Sequence, residues 1–431
     1  MYAVNGKMTG LALLLAAMVS ACGGGGGGSS DASNPPPTSA PEGVGTTPVT
    51  STPPVTGTTP VTSTPPVTSI QPETGSTISN VASLPADLLS KPAAASCAAL
   101  RSGAYRVIFP TRQAKLADQT GVIKVDAVTL VVTYTDGSTG KWAASTATGG
   151  ACRFTDVADG TDIAVTPAGV IVARSSIGGG AYQMNFGFPE QRHTLADLAG
   201  AWSFIGMKPA ENGNGYTGVT GAGTYDTVGG LSGTALCAND VTWGQTGADC
   251  AAVTTGLSTL KANSDGGFDV IEAGASAPSG RAFAYRAGGG ALMVAEVEAD
   301  GSFFFYTPQR ARGLPPIGAI TTNWNITMDR FLASPAAISE SRNTVLSVDA
   351  VAGSWVRNQA SANGPTFDTQ ATLFANNPRT GFAYRAAGQY VTAAGTTANI
   401  SEFFVLGLVG MGVSSVIIPV AKQFIVSPDK P

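Results

Sequence analysis

The chain of 431 residues carries 24 basic and 28 acidic side chains, a formal charge of −4, and only 12% of it is charged. No basic stripe or run exists, so a nucleic-acid partner has no electrostatic basis. Glycine is abundant at 55 residues, while the Leu, Glu, Lys and Arg that build long amphipathic helices are scarce. The composition therefore favours short strands and turns over helices.

The chain opens with Lys7 before an apolar run, Met8 to Ala21, that ends in small residues directly ahead of Cys22. A cationic start, an apolar core and small residues at the cut are the layout of a secretory signal. Val19-Ser20-Ala21-Cys22 resembles the lipobox of bacterial lipoproteins. That resemblance implies removal of residues 1–21 and a diacylated Cys22 thiol, which anchors an exported chain without a spanning helix. Gly23, where aspartate would stand in lipoproteins kept at the inner membrane, implies sorting to the outer membrane.

Residues 22–85 read as a disordered tether. Gly23 to Gly28 is a glycine run, and residues 46–57 (TTPVTSTPPVTG) are repeated almost unchanged at 58–69. Neither copy holds a charge or an aromatic, so neither buries enough surface to offset chain entropy. Its prolines favour polyproline II at roughly 3.1 Å per residue, so thirty-odd residues reach on the order of 100 Å.

Order is expected from 86 onward, in an all-β fold of antiparallel sandwich or barrel domains containing disulfides. The first domain spans 86–193. There AVTLVVTY (127–134) is a strand, Asp136-Gly137 a turn, and Trp142 opens the return strand. Residues 162–175 read as a hairpin tipped by Pro167-Ala168-Gly169. Tyr182, Met184, Phe186 and Phe188 form one apolar face of a period-two strand.

The remainder carries an internal repeat. LADLAGAW (195–202) matches VDAVAGSW (348–355), FAYRA occurs at 283–287 and again at 382–386, and each copy is followed by an aromatic cluster, Phe303-Phe304-Phe305 and Phe403-Phe404. Two related β units follow, 194–310 and 346–431, joined by a less regular connector at 311–345. Whether they share one barrel or form two modules stays open. Phe403 to Ala421 has no charge over a length that could span a bilayer. Its glycines, serines and Pro419 favour two strands about Gly410-Met411-Gly412 instead.

Four cysteines besides Cys22 permit three pairings in an exported chain. Sequence order favours Cys97–Cys152 and Cys237–Cys250. Zinc is not expected, since no C-x-x-C exists and His193 is the single histidine. Asp156, Asp159 and Asp162 around Gly160 are the one loop cluster with calcium-like chemistry, though without EF-hand spacing. No cofactor is expected.

Catalytic patterns are sparse. His193 stands at a domain junction with no G-x-S-x-G elbow anywhere. S-x-x-K occurs at Ser138/Lys141, Ser258/Lys261 and Ser427/Lys430, never opening a helix. Gly213 to Gly218 fits G-x-G-x-x-G but is followed by more glycine and threonine, unlike a dinucleotide loop. Paired carboxylates for glycoside cleavage leave no local signature.

Gly200-Ala201-Trp202 and Gly353-Ser354-Trp355 resemble the G-x-W that starts the first strand of lipocalin barrels, where the tryptophan closes one end. The Cys22-polyglycine start is similar to transferrin-binding and related surface lipoproteins, which carry β-barrels on flexible leaders. The expectation is a non-catalytic outer-membrane lipoprotein that binds a small ligand or an envelope protein, on the periplasmic or the cell-surface face. A structural spacer and a carboxylate-dependent hydrolase of an envelope polymer are the alternatives.

Overall fold

The computed structural model describes residues 83–428 except 111–114, 147–149, 179–180, 210–215, 239–249, 254–256, 290–291, 310–312, 329–338, 362–366, 375–379, 386–387, 392–396, 401–402, 409–412 and 419–422. The described residues are nearly all β and antiparallel, with two short helices, Ala86–Leu89 and Leu116–Gln119.

The first sheet is an up-and-down barrel of the strands Gly103–Ile108, Thr120–Asp126, Val131–Thr133, Thr139–Ala144, Arg153–Asp156, Asp162–Val165, Ile171–Gly178 and Ala181–Pro189. The last strand closes on the first, with Gly187 opposite Val107. Turn chemistry sets the hairpins. Gly137 adopts φ +83° while Asp136 Oδ1 accepts the Ser138 N–H at 2.9 Å. At the tip 166–169, Gly169 (φ +79°) donates its N–H to Thr166 O. The strand expected over 127–134 is shorter, beginning at Val131. Asp126 Oδ1 accepts the N–H of Val128 and Thr129, and that side-chain turn ends one strand before the next begins.

Inside this barrel the alternate residues Tyr105, Ile123, Val132, Trp142, Phe154 and Ile163 are buried, filling it as a core. Gly140 lies against the Tyr134 ring, and a Cβ there would sit 2.5 Å from the tyrosine oxygen. That clearance lets Tyr134 donate its hydroxyl proton to the buried Asp156 carboxylate. The Cys97–Cys152 disulfide ties the strand Cys97–Arg101, ahead of the barrel, to the turn before Arg153.

The second sheet has nine strands in the order Cys250–Ala252, Leu231–Ala238, Tyr216–Tyr225, Gly200–Pro209, Phe303–Pro308, Leu292–Glu298, Gly280–Arg286, Phe268–Ile271 and Thr259–Ala262. It curls into a half-barrel whose ends approach at one point, where Leu260 N–H donates to Gly229 O at 2.9 Å. Cys237 stands directly opposite Cys250, and the two are bonded. Trp202 plugs the concave side, its indole N–H donating to Leu198 O at 2.7 Å.

The third sheet is a second barrel of Ile320–Met328, Ser339–Asp349, Ser354–Ser361, Phe367–Leu373, Phe382–Arg385, Phe403–Leu408, Val413–Ile418 and Gln423–Pro428, the last closing on the first. Its first two strands begin inside 311–345, the stretch expected to be a connector. The residues 320–328 (ITTNWNITM) hide their strand character because both Asn323 and Trp324 are buried, one on each face. Phe403–Leu408 and Val413–Ile418 pair as a hairpin. No helix among the described residues is long and apolar enough to cross a membrane.

The convex side of the half-barrel packs on both barrels. The stripe Met184-Phe186-Phe188 points out of the first barrel, with Phe186 edge-on to Phe305 at 4.8 Å and Phe188 beside Tyr285. From the second barrel, Trp324, Phe382 and Tyr384 join the same cluster. A polar clamp borders the first contact. Arg106 pairs with Glu190 at 2.8 Å, donates to Asp265 O at 2.5 Å, and lies 4.5 Å above the Phe283 ring. Arg106→Lys keeps the charge and loses the planar fork. It is expected to cost about 1–2 kcal/mol, read from the urea midpoint.

Candidate ligand-binding site

The residues singled out in the sequence scatter through the fold. Cys22 and the tether lie outside the described residues, as do Gly213 to Gly215, Met411 and Lys430. Asp156, Asp159 and Asp162 have separate employment. Asp156 accepts from Tyr134 and from Ala158 N–H, Asp159 accepts from Thr161 N–H at 2.8 Å, and Asp162 pairs with Arg153 at 3.7 Å. Among the described residues no group of three or more His, Cys, Asp and Glu could hold a metal ion. His193 bonds Gln191 Oε1 at 2.9 Å and faces Asp197 at 3.9 Å, and burial draws its pKa below the ordinary value. Ser138 donates to Asp136 at 2.6 Å within its turn. None of these forms a nucleophile with a base.

Two other interiors carry polar side chains. In the second barrel the lumen faces of adjacent strands are set by register. Arg357 stands opposite Val345 and Thr369, Gln359 opposite Asn343, Trp355 opposite Ala371, and Asn323 opposite Ser341. Residues on the other face of these strands, Arg342, Leu346, Asp368 and Gln370, are exposed. On these strands the inward face mixes the polar Asn323, Ser341, Asn343, Arg357, Gln359 and Thr369 with Val345, Trp355 and Ala371.

Trp355, Arg357 and Gln359 remain half-buried although they point into a closed barrel. Desolvation there pulls the Arg357 pKa down to about 10. Its Nε donates to Thr369 Oγ1 at 3.4 Å. Asn343 is only 8% exposed, and its Oδ1 has no hydrogen-bond partner; the same holds for the buried Gln359 Oε1. Native structures rarely leave such acceptors unmet, because each costs about 1–3 kcal/mol.

The second interior is the concave side of the half-barrel. Glu296 and Glu298 lie two apart on Leu292–Glu298 and so share the face that carries Leu292 and Val294. Glu296 is 3% exposed. Burial pushes both carboxyls above the ordinary range; hydrogen bonds from Tyr306 and Glu298 favour ionised Glu296, and the neighbouring Glu296 and Asp300 charges favour protonated Glu298. Tyr225 bonds Tyr306, and burial pushes both phenols well above 10. The result is a run of hydrogen bonds from Tyr225 through Tyr306 and Glu296 to Glu298, every member partnered. Carboxyls bonded directly to each other leave no sugar-sized gap, unlike the separations of about 5–9 Å in glycosidases.

Sequence reasoning passed over both interiors. The signals were an acid pair at i and i+2 in an apolar strand (LMVAEVE), and W-x-R-x-Q at strand period within SWVRNQAS.

No protein-family model matches the chain, and no curated protein is similar to it. Among solved structures it is similar to a protein of unknown function of the DUF3598 family from Nostoc punctiforme PCC 73102, at 13% identity and a TM-score of 0.17, over 56% of this chain and 100% of that one. A likeness of that size carries no argument about this molecule.

Proposed function

We propose that the protein is an outer-membrane lipoprotein that holds a small-ligand-binding body on a long tether, without catalysis of its own. One observation carries the binding role. The first barrel is filled by Tyr105, Trp142 and Phe154, whereas the inward face of the second carries the polar side chains Arg357, Asn343 and Gln359. A few placed polar side chains on an inward face are what a ligand site uses to fix orientation, and a spacer has no use for them.

The anchor rests on the resemblance at Val19 to Cys22 and on the charge-free tract that follows. Cells fed labelled palmitate are expected to incorporate it into the wild-type chain, which sediments with outer membranes. Cys22→Ala is expected to lose the label entirely and to leave the membrane fraction. Label on the alanine variant, or none on the wild type, sinks the anchor. Protease treatment of intact cells then separates the surface face from the periplasmic one.

A further inference from the structure

We infer that residues 83–101 are a load-bearing strap, which receives any pull along the tether and passes it through Cys97–Cys152, so that the barrel strands between those cysteines are bypassed. The inference builds on the tether reading above but does not need the lipid.

The strap begins where the chain enters the folded body. Gly288, just past the half-barrel strand Gly280–Arg286, donates its N–H to Ser83 O at 2.9 Å. Leu84 is buried, and a Cβ on Gly169, at a hairpin tip of the first barrel, would sit 2.8 Å from its Cδ2. The entry point thus touches both bodies, beside the bond from the Tyr285 hydroxyl to Ala168 O at 2.5 Å. Leu88 is buried in the short helix that follows, and Arg101 Nη1 donates to Leu89 O at 3.2 Å and to Lys91 O at 2.8 Å. Ala93–Ala94 then pairs with Cys97–Arg101, and Cys97, Ala99 and Leu100 join the core of the first barrel. Loaded from the tether end, the contacts ahead of Cys97 break one after another.

A covalent bond ends that series. Cys97 is joined to Cys152, so the load passes to the residue directly before the strand Arg153–Asp156. The bypassed stretch spans a separation of 55 residues and holds Gly103–Ile108, Thr120–Asp126, Val131–Thr133 and Thr139–Ala144, half of the strands of the barrel. Without the bond, Gly103–Ile108 is the first strand of the ring that the tether pulls, and a ladder loaded at one end opens pair by pair. With it, residues 83–96 alone are free to peel. That lengthens the link by about 50 Å, at roughly 3.5 Å per residue, and there extension stops.

The test is magnetic-tweezers extension of the mature full-length chain. One handle is joined to the Cys22 sulfur and the other to Val157→Cys, in a turn where Val157 is 65% exposed, just past Arg153–Asp156. Both handles are thioethers, which dithiothreitol leaves intact. The oxidised protein is expected to lengthen by about 50 Å in a reversible low-force step and then to resist. Dithiothreitol is expected to release about 190 Å more, at a force the oxidised protein withstands, since the 55-residue stretch then enters the load path at roughly 3.5 Å per residue. Gly288→Ala, whose methyl would collide with Leu84 O, is expected to lower the force of the first step and leave the stop unchanged. Leu84→Ala serves in its place if that variant does not fold.

An oxidised protein that extends as far as the reduced one shows the load running through the bypassed strands and overturns the assignment. A single rupture in which strap and barrel open together overturns it as well, as does a first step that neither Gly288→Ala nor Leu84→Ala weakens. No lipid is present in this experiment, so its outcome is independent of the palmitate result that decides the anchor.

Discussion

Trp142→Ala is expected to destabilise the protein by about 3–5 kcal/mol, the range for removing a large aromatic from a packed interior. The indole is 2% exposed, tilted against the Phe154 ring at 6.1 Å, and stands opposite Asp156 across the strand pair. Its removal leaves a cavity in a barrel whose wall cannot collapse, because the closed hydrogen-bonded ring fixes strand spacing. The loss also reaches the polar end of the core. Trp142 borders the Tyr134 hydroxyl that serves Asp156, so water admitted there competes for the carboxylate. Urea titration followed by far-ultraviolet circular dichroism reads the effect, with Val128→Ala as control. Val128 is 66% exposed, and its truncation is expected to change stability by less than about 0.5 kcal/mol. Equal midpoints for the two variants would mean that the first barrel is not filled as described.

The first barrel was readable where a strand turns apolar side chains inward and polar ones out, so that alternation and turn residues agree. Ile123 and Val125 alternate with Lys124 and Asp126, and Gly137 and Gly169 mark turns whose backbone needs a positive φ. Both cysteine pairs also follow sequence order, Cys237 and Cys250 falling opposite each other on adjacent strands.

Legibility failed where a strand has no solvent face or no apolar one. Ile320–Met328 buries Asn323 and Trp324 on opposite faces, and Ser354–Ser361 turns Arg357 and Gln359 inward, so neither shows the hydropathy rhythm of a strand. The shared words FAYRA and G-x-W likewise do not fix topology. In the half-barrel the Trp202 strand is followed by Tyr216–Tyr225, Leu231–Ala238, Cys250–Ala252, Thr259–Ala262 and Phe268–Ile271 before FAYRA. In the second barrel, among the described residues, Phe367–Leu373 alone intervenes between Trp355 and Phe382. Local words report which side chains meet a core, and strand order depends on contacts far apart in the chain.

Raising the pH from about 5 to about 9 is expected to weaken the folded state through Glu296 and Glu298, whose folded carboxyls hold their protons above the ordinary range. Unfolded, both carboxyls lose their protons near 4.5. Folded, burial among Trp202, Phe204, Tyr225 and Tyr306 holds the protons to higher pH, and the two acids add mutual repulsion once both ionise. Below about 4.5 both states are protonated, and the pair exacts no penalty. Between that pH and the folded values the native state binds more protons, so stability falls as pH rises; above them the loss is complete. Glu296→Gln/Glu298→Gln keeps the shape and the hydrogen-bonding capacity without the charge. Its stability is expected to exceed that of the wild type at pH 8 and to match it at pH 4.5. His193, whose pKa burial lowers, and the neighbouring Asp300 are present in both proteins and cancel in the comparison. The measurement is the urea midpoint of wild type and double variant at half-unit pH steps. Parallel curves would mean that Glu296 and Glu298 are ionised in the folded protein, and that the Tyr225–Tyr306 hydrogen bonds with cross-strand packing carry the concave face without a shared proton.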